Sequence, residues 1–291
     1  MGLLLFLLVM ALVVPLSFLP FRVLYAISNG IAWLLRDVVK YRRGVVNTNL
    51  KESFPEKSAA DIKQIEKQFY THLADLIVEA VKLMNISKKE VAKRCLYINP
   101  EILHRHFERG ETVIVAAGHS GNSELATQSM AVEFNQQSIS FYRELTNSYF
   151  NEFLIKIRTR FGLKLVSERQ SRLLLRIAKE PSIVLVPGDQ TPSNTRAAYW
   201  TNFLHQDTPV LKGLERMAKM LNAPVYFAHM ERVERGQYSI RIEELSQNPK
   251  EEPENAITEK YITQLEKAIA QQPYNWLWSH RRWKHKRPEG M

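Results

Sequence analysis

The chain has 291 residues, enough for one large domain or two small ones, and its 45% hydrophobic content can bury a sizeable core. Its single cysteine, Cys95, excludes an internal disulfide and fits a reducing compartment, while a net charge of +10 calls for an anionic partner. No Cys/His or His/Asp cluster has metal-ligand spacing, and no dinucleotide-binding or P-loop glycine motif is present, so neither a metal nor a nucleotide cofactor is expected.

Residues 1–21 carry no charge, and only Arg22 interrupts the apolar character before Arg36. About 20 apolar residues suffice to cross a bilayer as a helix, so residues 1–35 are expected to form a hydrophobic membrane-anchoring helix. Pro15 and Pro20 also leave room for a kinked or partly interfacial one. Neither a basic start nor a small-residue cleavage site marks a cleaved signal peptide. Arg36, Lys40, Arg42 and Arg43 follow, which puts the bulk of the chain on the cytoplasmic side by the positive-inside rule.

Ser58 then caps an amphipathic helix whose apolar positions Ile62, Ile65, Phe69, Leu73, Leu76, Ile77, Ala80, Val81 and Met84 recur at three and four, a core-packing stripe. Beyond it the chain alternates. Strands are predicted near 112–117, 138–142, 163–166, 182–186 and 224–229, with helices near 123–134, 147–161, 170–179 and 210–221. Residues 237–243 alternate with period two, as in a half-exposed edge strand, and a last helix is predicted near 256–271. The pattern predicts an α/β fold: a central mixed, mostly parallel sheet flanked by helices. No internal repeat or linker divides residues 36–291. At the end, Trp276, Trp278 and Trp283 interleave with Arg281, Arg282, Lys284, Lys286 and Arg287. Such a mixture suits a membrane interface and also single-stranded nucleic acid; the uncharged N-terminal run tips the balance to anionic lipid, with no nucleic-acid partner.

The segment with most chemistry runs from Thr112 to Ala126. A β-branched apolar run ends at Gly118, a polar turn follows, and a helix starts near Glu124. His119 therefore sits at the carboxyl end of a strand, where open α/β sheets place their chemistry, with Glu124 five residues on in the first helical turn. An imidazole suits proton removal near neutral pH, and a carboxylate can orient it, so the pair reads as a general base with its orienting acid. The helix dipole alone also favours Glu124 there. Ser120 lacks the second spacer of a nucleophile elbow and reads as a cap or loop residue.

The His-x4-Glu pattern resembles the signature of the bacterial late acyltransferases of lipid A biosynthesis, within the wider glycerolipid acyltransferase group. Tyr41-Arg42-Arg43 with Asn49-Leu50 and Phe54-Pro55-Glu56 is similar to that family's N-terminal block. Arg158-Thr159-Arg160-Phe161-Gly162 resembles its second block, and Pro187-Gly188-Asp189-Gln190 its third. Trp276-Leu277-Trp278-Ser279-His280-Arg281-Arg282-Trp283-Lys284 resembles the C-terminal signature. The blocks occur in the family's order across nearly the whole chain. The resemblance implies an acyltransferase domain over 36–291, with a basic, Trp-rich C-terminal segment, at the bacterial inner membrane. It implies transfer of an acyl chain from acyl carrier protein or coenzyme A to a hydroxyl of a lipid A precursor; a lysophospholipid or aminoacyl lipid is the alternative acceptor. His119 and Glu124 are then the expected catalytic pair. Arg158 is the expected oxyanion donor, with Arg160 ranked second. Asn122 is a possible amide donor, and Asp189 and Gln190 are expected to orient substrate.

Overall fold

The computed structural model describes residues 2–168, 178 and 180–288. The apolar N-terminal run forms two helices, α1 (Gly2–Phe18) and α2 (Phe21–Trp33), because Pro20 lacks the N–H that would continue the first. At 1.5 Å per residue α1 reaches only about 26 Å, short of the ~30 Å hydrocarbon core. Among the described residues no helix is long and apolar enough to cross a membrane, which corrects the expectation of a spanning anchor. A π-turn over Leu34–Val38 leads to α3 (Arg43–Ser53).

Helix α4 (Ala59–Lys82) starts at the expected cap: Asp61 N donates to Ser58 Oγ at 3.2 Å, and Ser58 N donates back to Asp61 Oδ2 at 3.1 Å. Its first half buries Ile62, Ile65 and Phe69 as the apolar stripe predicts. In the second half Ile77 and Ala80 are exposed, and His72, Asp75 and Glu79 are buried instead. Partners elsewhere make that burial possible. Ser28 Oγ donates to Asp75 Oδ1 at 2.5 Å, and Arg232 Nη2 reaches Asp75 Oδ2 at 2.7 Å.

There follow α5 (Lys88–Arg94), β1 (Cys95–Tyr97), α6 (Glu101–Glu108), β2 (Val113–Ala117), α7 (Ser123–Glu133), β3 (Gln137–Tyr142), α8 (Ser148–Thr159), β4 (Lys164–Ser167) and β5 (Ser182–Pro187). The helix expected near 170–179 lies outside the described residues, apart from Ala178. A hairpin of β6 (Tyr199–Phe203) and β7 (Gln206–Val210), unforeseen in the sequence, precedes α9 (Gly213–Leu221). The chain continues through β8 (Val225–Glu234), β9 (Gln237–Ser246) and α10 (Ala256–Gln271).

Seven strands form one sheet in the order β1-β9-β8-β2-β5-β3-β4, parallel except for the antiparallel β8–β9 pair. β9 is not an edge strand as its alternation suggested, because β1 pairs along its outer side. Central β2 faces a packed layer on each side: Ile114 and Ala116 join one core cluster, Val113 and Val115 the other. Burial of both faces explains the unbroken Val-Ile-Val-Ala run.

The C-terminal segment is no free basic tail. Trp276, Trp278 and Arg282 are fully buried, and the rings of Trp276 and Trp278 meet edge to face at 4.9 Å. These tryptophans therefore belong to the core rather than to a lipid interface. Asn49 Nδ2 donates to the carbonyls of Trp278 (2.9 Å) and His280 (3.0 Å), and Arg42 Nη1 to that of Ser279 (3.0 Å). The first and last family-like blocks thus pack on each other.

Candidate active site

β2 and β5 are parallel neighbours whose last residues, Ala117 and Pro187, stand opposite each other. Two residues beyond each lie His119 and Asp189. Register alone therefore brings together side chains 70 positions apart. The glycine before each allows close packing by α10: a Cβ on Gly118 would lie 2.5 Å from Leu265 Cδ1, and one on Gly188 2.8 Å from the Tyr261 ring. Tyr261 Oη also donates to the Ala117 carbonyl at 3.0 Å, which braces both strand ends.

Asp189 is buried and accepts three hydrogen bonds. His119 Nδ1 lies 2.6 Å from Oδ1, while His119 N (2.7 Å) and Trp276 Nε1 (2.9 Å) both donate to Oδ2. An ionised carboxylate only accepts, so Nδ1 carries a proton, and in the neutral ring Nε2 keeps its lone pair. Gln190 Nε2 stands 3.3 Å from that Nε2. The Asp189 charge raises the affinity of His119 for a proton, outweighing the opposing effect of burial. Burial pushes the Asp189 carboxyl up, but the His119 charge and the hydrogen bonds prevail and hold it well below the usual carboxylate range. An imidazole held in this way can take a proton at Nε2 and be stabilised as the cation.

Glu124 sits in the first turn of α7, as expected, but its oxygens go to Arg158. Arg158 Nε donates to Oε2 at 2.9 Å, and Nη2 pairs with Oε1. Among the described residues no hydrogen bond joins Glu124 to His119, and its charge supports the imidazolium only through space. The orienting role expected of Glu124 is filled geometrically by Asp189. Arg160 is turned away, donating to the carbonyls of Leu83 (2.7 Å) and Ile86 (2.6 Å), just past the end of α4. Asn122 is the N-cap of α7, its Oδ1 accepting from Leu125 N at 2.9 Å, and its Nδ2 donates to Glu79 Oε2 at 2.7 Å. The buried Ser120 hydroxyl has no hydrogen-bond partner among the described residues, so no base activates it as a nucleophile.

His119, Glu124, Arg158 and Gln190 line one cavity of about 490 Å³, together with apolar side chains that include Met130, Phe141, Leu165, Leu185 and Phe227. A space of this size, apolar with a few convergent polar groups, is the usual form of a small-molecule site. Sequence reasoning missed Trp276 as a partner of Asp189, and His280, whose Nε2 lies 3.1 Å from Thr191 Oγ1 beside Gln190. The only available signal for either was membership of the C-terminal block.

A family model described as bacterial lipid A biosynthesis acyltransferase matches residues 2–285. No curated protein matches the chain. The match spans nearly the whole sequence and holds every residue of the cavity and its paired His119 and Asp189, and the chain belongs to the bacterial lipid A biosynthesis acyltransferase family.

Proposed function

We propose that this acyltransferase moves a fatty acyl chain from the thioester of acyl carrier protein or coenzyme A to a hydroxyl of a lipid A precursor, with His119 as general base. The observation that carries the reading is the His119–Asp189 pair, which leaves Nε2 as the ring nitrogen not engaged by the carboxylate, with His119 lining a largely apolar cavity. His119 Nε2 removes the proton from the acceptor hydroxyl as its oxygen attacks the thioester carbonyl. The tetrahedral intermediate collapses with loss of the thiolate, which takes up the proton held by His119. No acyl-enzyme is needed, because the thioester is already activated and the acceptor supplies the nucleophile. Arg158 serves the developing oxyanion: Nε and Nη2 are engaged by Glu124, which leaves Nη1 to donate. Glu124 acts by holding that guanidinium, and Gln190 by orienting substrate at His119.

The reading places the protein on the bacterial inner membrane, with its catalytic domain on the cytoplasmic side and anionic lipid beneath it. Helix α1 supports this. It is apolar all round, yet Leu4, Leu8 and Leu12 are 64%, 61% and 67% exposed. A helix with that surface belongs in lipid, where its uncharged, all-round apolar face can enter the hydrocarbon without spanning it. Phe6 packs against Tyr149, Phe150 and Phe153 of α8, the helix that also supplies Leu154, Ile155 and Arg158 to the cavity.

The test is acyl transfer by the purified full chain from acyl carrier protein or coenzyme A thioesters to an under-acylated lipid A acceptor, beside lysophosphatidic acid. The expected result is acylated lipid A in preference to phosphatidic acid. Equal or better use of the lysophospholipid would move the acceptor to the glycerolipid class. An unaffected rate for His119→Ala would refute the mechanism.

A further inference from the structure

A buried carboxylate lies beneath the turn that carries His119 and Glu124, and the mechanism above makes no use of it. Glu79, on α4, is 3% exposed. Its Oε2 accepts from Asn122 Nδ2 at 2.7 Å and from Tyr238 Oη at 2.8 Å, and its Oε1 from Tyr25 Oη at 2.9 Å. No lysine or arginine forms an ion pair with it among the described residues. A carboxyl buried without a cation is costly, and the three donors aimed at it are what offset that cost. Its three donors come from three separate elements: α2, the entry to α7, and β9.

Asn122 lies three residues after His119 and two before Glu124. Its amide oxygen caps Leu125 N, so the amide nitrogen is the only part left to fix its rotation, and Glu79 takes it. On the other side of the turn, Gly121 N donates to the Asn275 carbonyl at 2.9 Å, and Gly121 has φ +65°. The turn is thus pinned at two successive residues. We propose that Glu79 is a positioning residue of acyl transfer: by holding Asn122 it fixes the start of α7, and hence Glu124 and its partner Arg158, relative to His119. Through Tyr25 the same carboxylate ties the N-terminal helices to the turn. The inference rests on the acyl-transfer reading of His119, and its test is arranged so that the two fail separately.

Groups held from outside the reacting centre act on rate through geometry, and a misplacement of about 1 Å costs on the order of 10²-fold. In the full-length enzyme Glu79→Met should lower kcat by about 10–10²-fold with KM within about twofold, while Glu79→Gln, which keeps an acceptor for Asn122, should recover most of the rate. Asn122→Ser keeps a capping oxygen but cannot reach Glu79, so it should reproduce the kcat loss and decides the matter where Glu79→Met fails to fold. Ser58→Ala, which removes the distant α4 cap, should lower the unfolding midpoint and leave kcat unchanged. A kcat retained by Glu79→Met or Asn122→Ser, with only the midpoint lowered as in Ser58→Ala, would overturn the proposal. Thermal unfolding of Glu79→Met, Asn122→Ser and the double variant tests the link without any acyl donor. Midpoint losses smaller in the double variant than the sum of the singles are expected, and strict additivity would overturn the coupling. Activity retained by His119→Ala would refute the acyl-transfer mechanism and leave that cycle to decide the link.

Discussion

Replacing Asp189 by asparagine separates charge and tautomer from shape. Two of the three donors around Asp189 cannot reverse their roles: His119 N and Trp276 Nε1 both point at Oδ2 and can only donate. The asparagine oxygen must therefore face those two, which turns its NH2 toward His119 Nδ1. The imidazole must then accept at Nδ1 and carry its proton at Nε2, the atom required to be free. The side chain keeps its place and the base is lost. A carboxylate-to-amide change that imposes the wrong tautomer costs about 10⁴-fold in kcat in a well-studied hydrolytic triad, and a loss on the order of 10³–10⁴ is expected here. Steady-state acyl transfer with a saturating thioester donor gives kcat, and ¹⁵N NMR of the labelled imidazole reports the tautomer. A loss under tenfold, or a dominant Nδ1–H tautomer in the variant, would refute the argument.

The pH dependence follows from the same pair: Asp189 raises the His119 pKa, and in the proposed mechanism the neutral ring is the active form. The kcat/KM profile should therefore fall on the acid side with an apparent pKa above the ordinary histidine value of about 6.5, and a limb at 6 or below would contradict it. Arg158→Ala should lower kcat by about 10²–10³-fold with a smaller rise in KM, and Glu124→Ala should add little to it, since each removes the other's partner; additive losses in the double variant would separate their roles. Gly188→Ala should cost about 1–3 kcal/mol of stability in denaturant unfolding, because its Cβ would lie 2.8 Å from the Tyr261 ring. Exchanging Leu4, Leu8 and Leu12 for serine removes three exposed anchors worth about 1–2 kcal/mol each in lipid, so partition onto anionic vesicles should weaken by at least about 10²-fold; unchanged flotation would refute the lipid seat of α1.

The parallel part of the fold is legible because a strand buried on both faces must be apolar along its length. Such runs stand out at 112–117 and 182–186, and the structure has strands at Val113–Ala117 and Ser182–Pro187. What the sequence hides are features that depend on distant partners. The alternation of residues 237–243 looks like an exposed edge, because nothing local announces that three residues from Cys95 to Tyr97 will pair beside it. Trp276 and Trp278, set among arginines, look interfacial, yet Arg42 and Asn49 supply polar partners that let their segment fold inward. On α4, Asp75 and Glu79 break the apolar stripe at places where charge normally means solvent, and distant partners such as Arg232 of β8 and the tyrosines of α2 and β9 explain their burial.

The candidate site shows the same division. His119 is visible as a strand-end histidine, and Glu124 as a first-turn acid five residues on, so nearness in sequence suggests that they pair. Five residues across a turn, however, carry Glu124 into the first turn of a helix, where it meets Arg158 of α8. The partner of His119 is set by the alignment of β2 with β5. Given Ala117 opposite Pro187, the second residue beyond each strand falls at the same level of the sheet edge, and a histidine and an aspartate there must meet. Predicting that pair requires the register of two strands almost 70 residues apart, which neither hydropathy nor motif spacing encodes. The His-x4-Glu stretch of this chain therefore joins two arrangements on one turn: an imidazole oriented from the neighbouring strand, and a carboxylate that holds a guanidinium across the cavity.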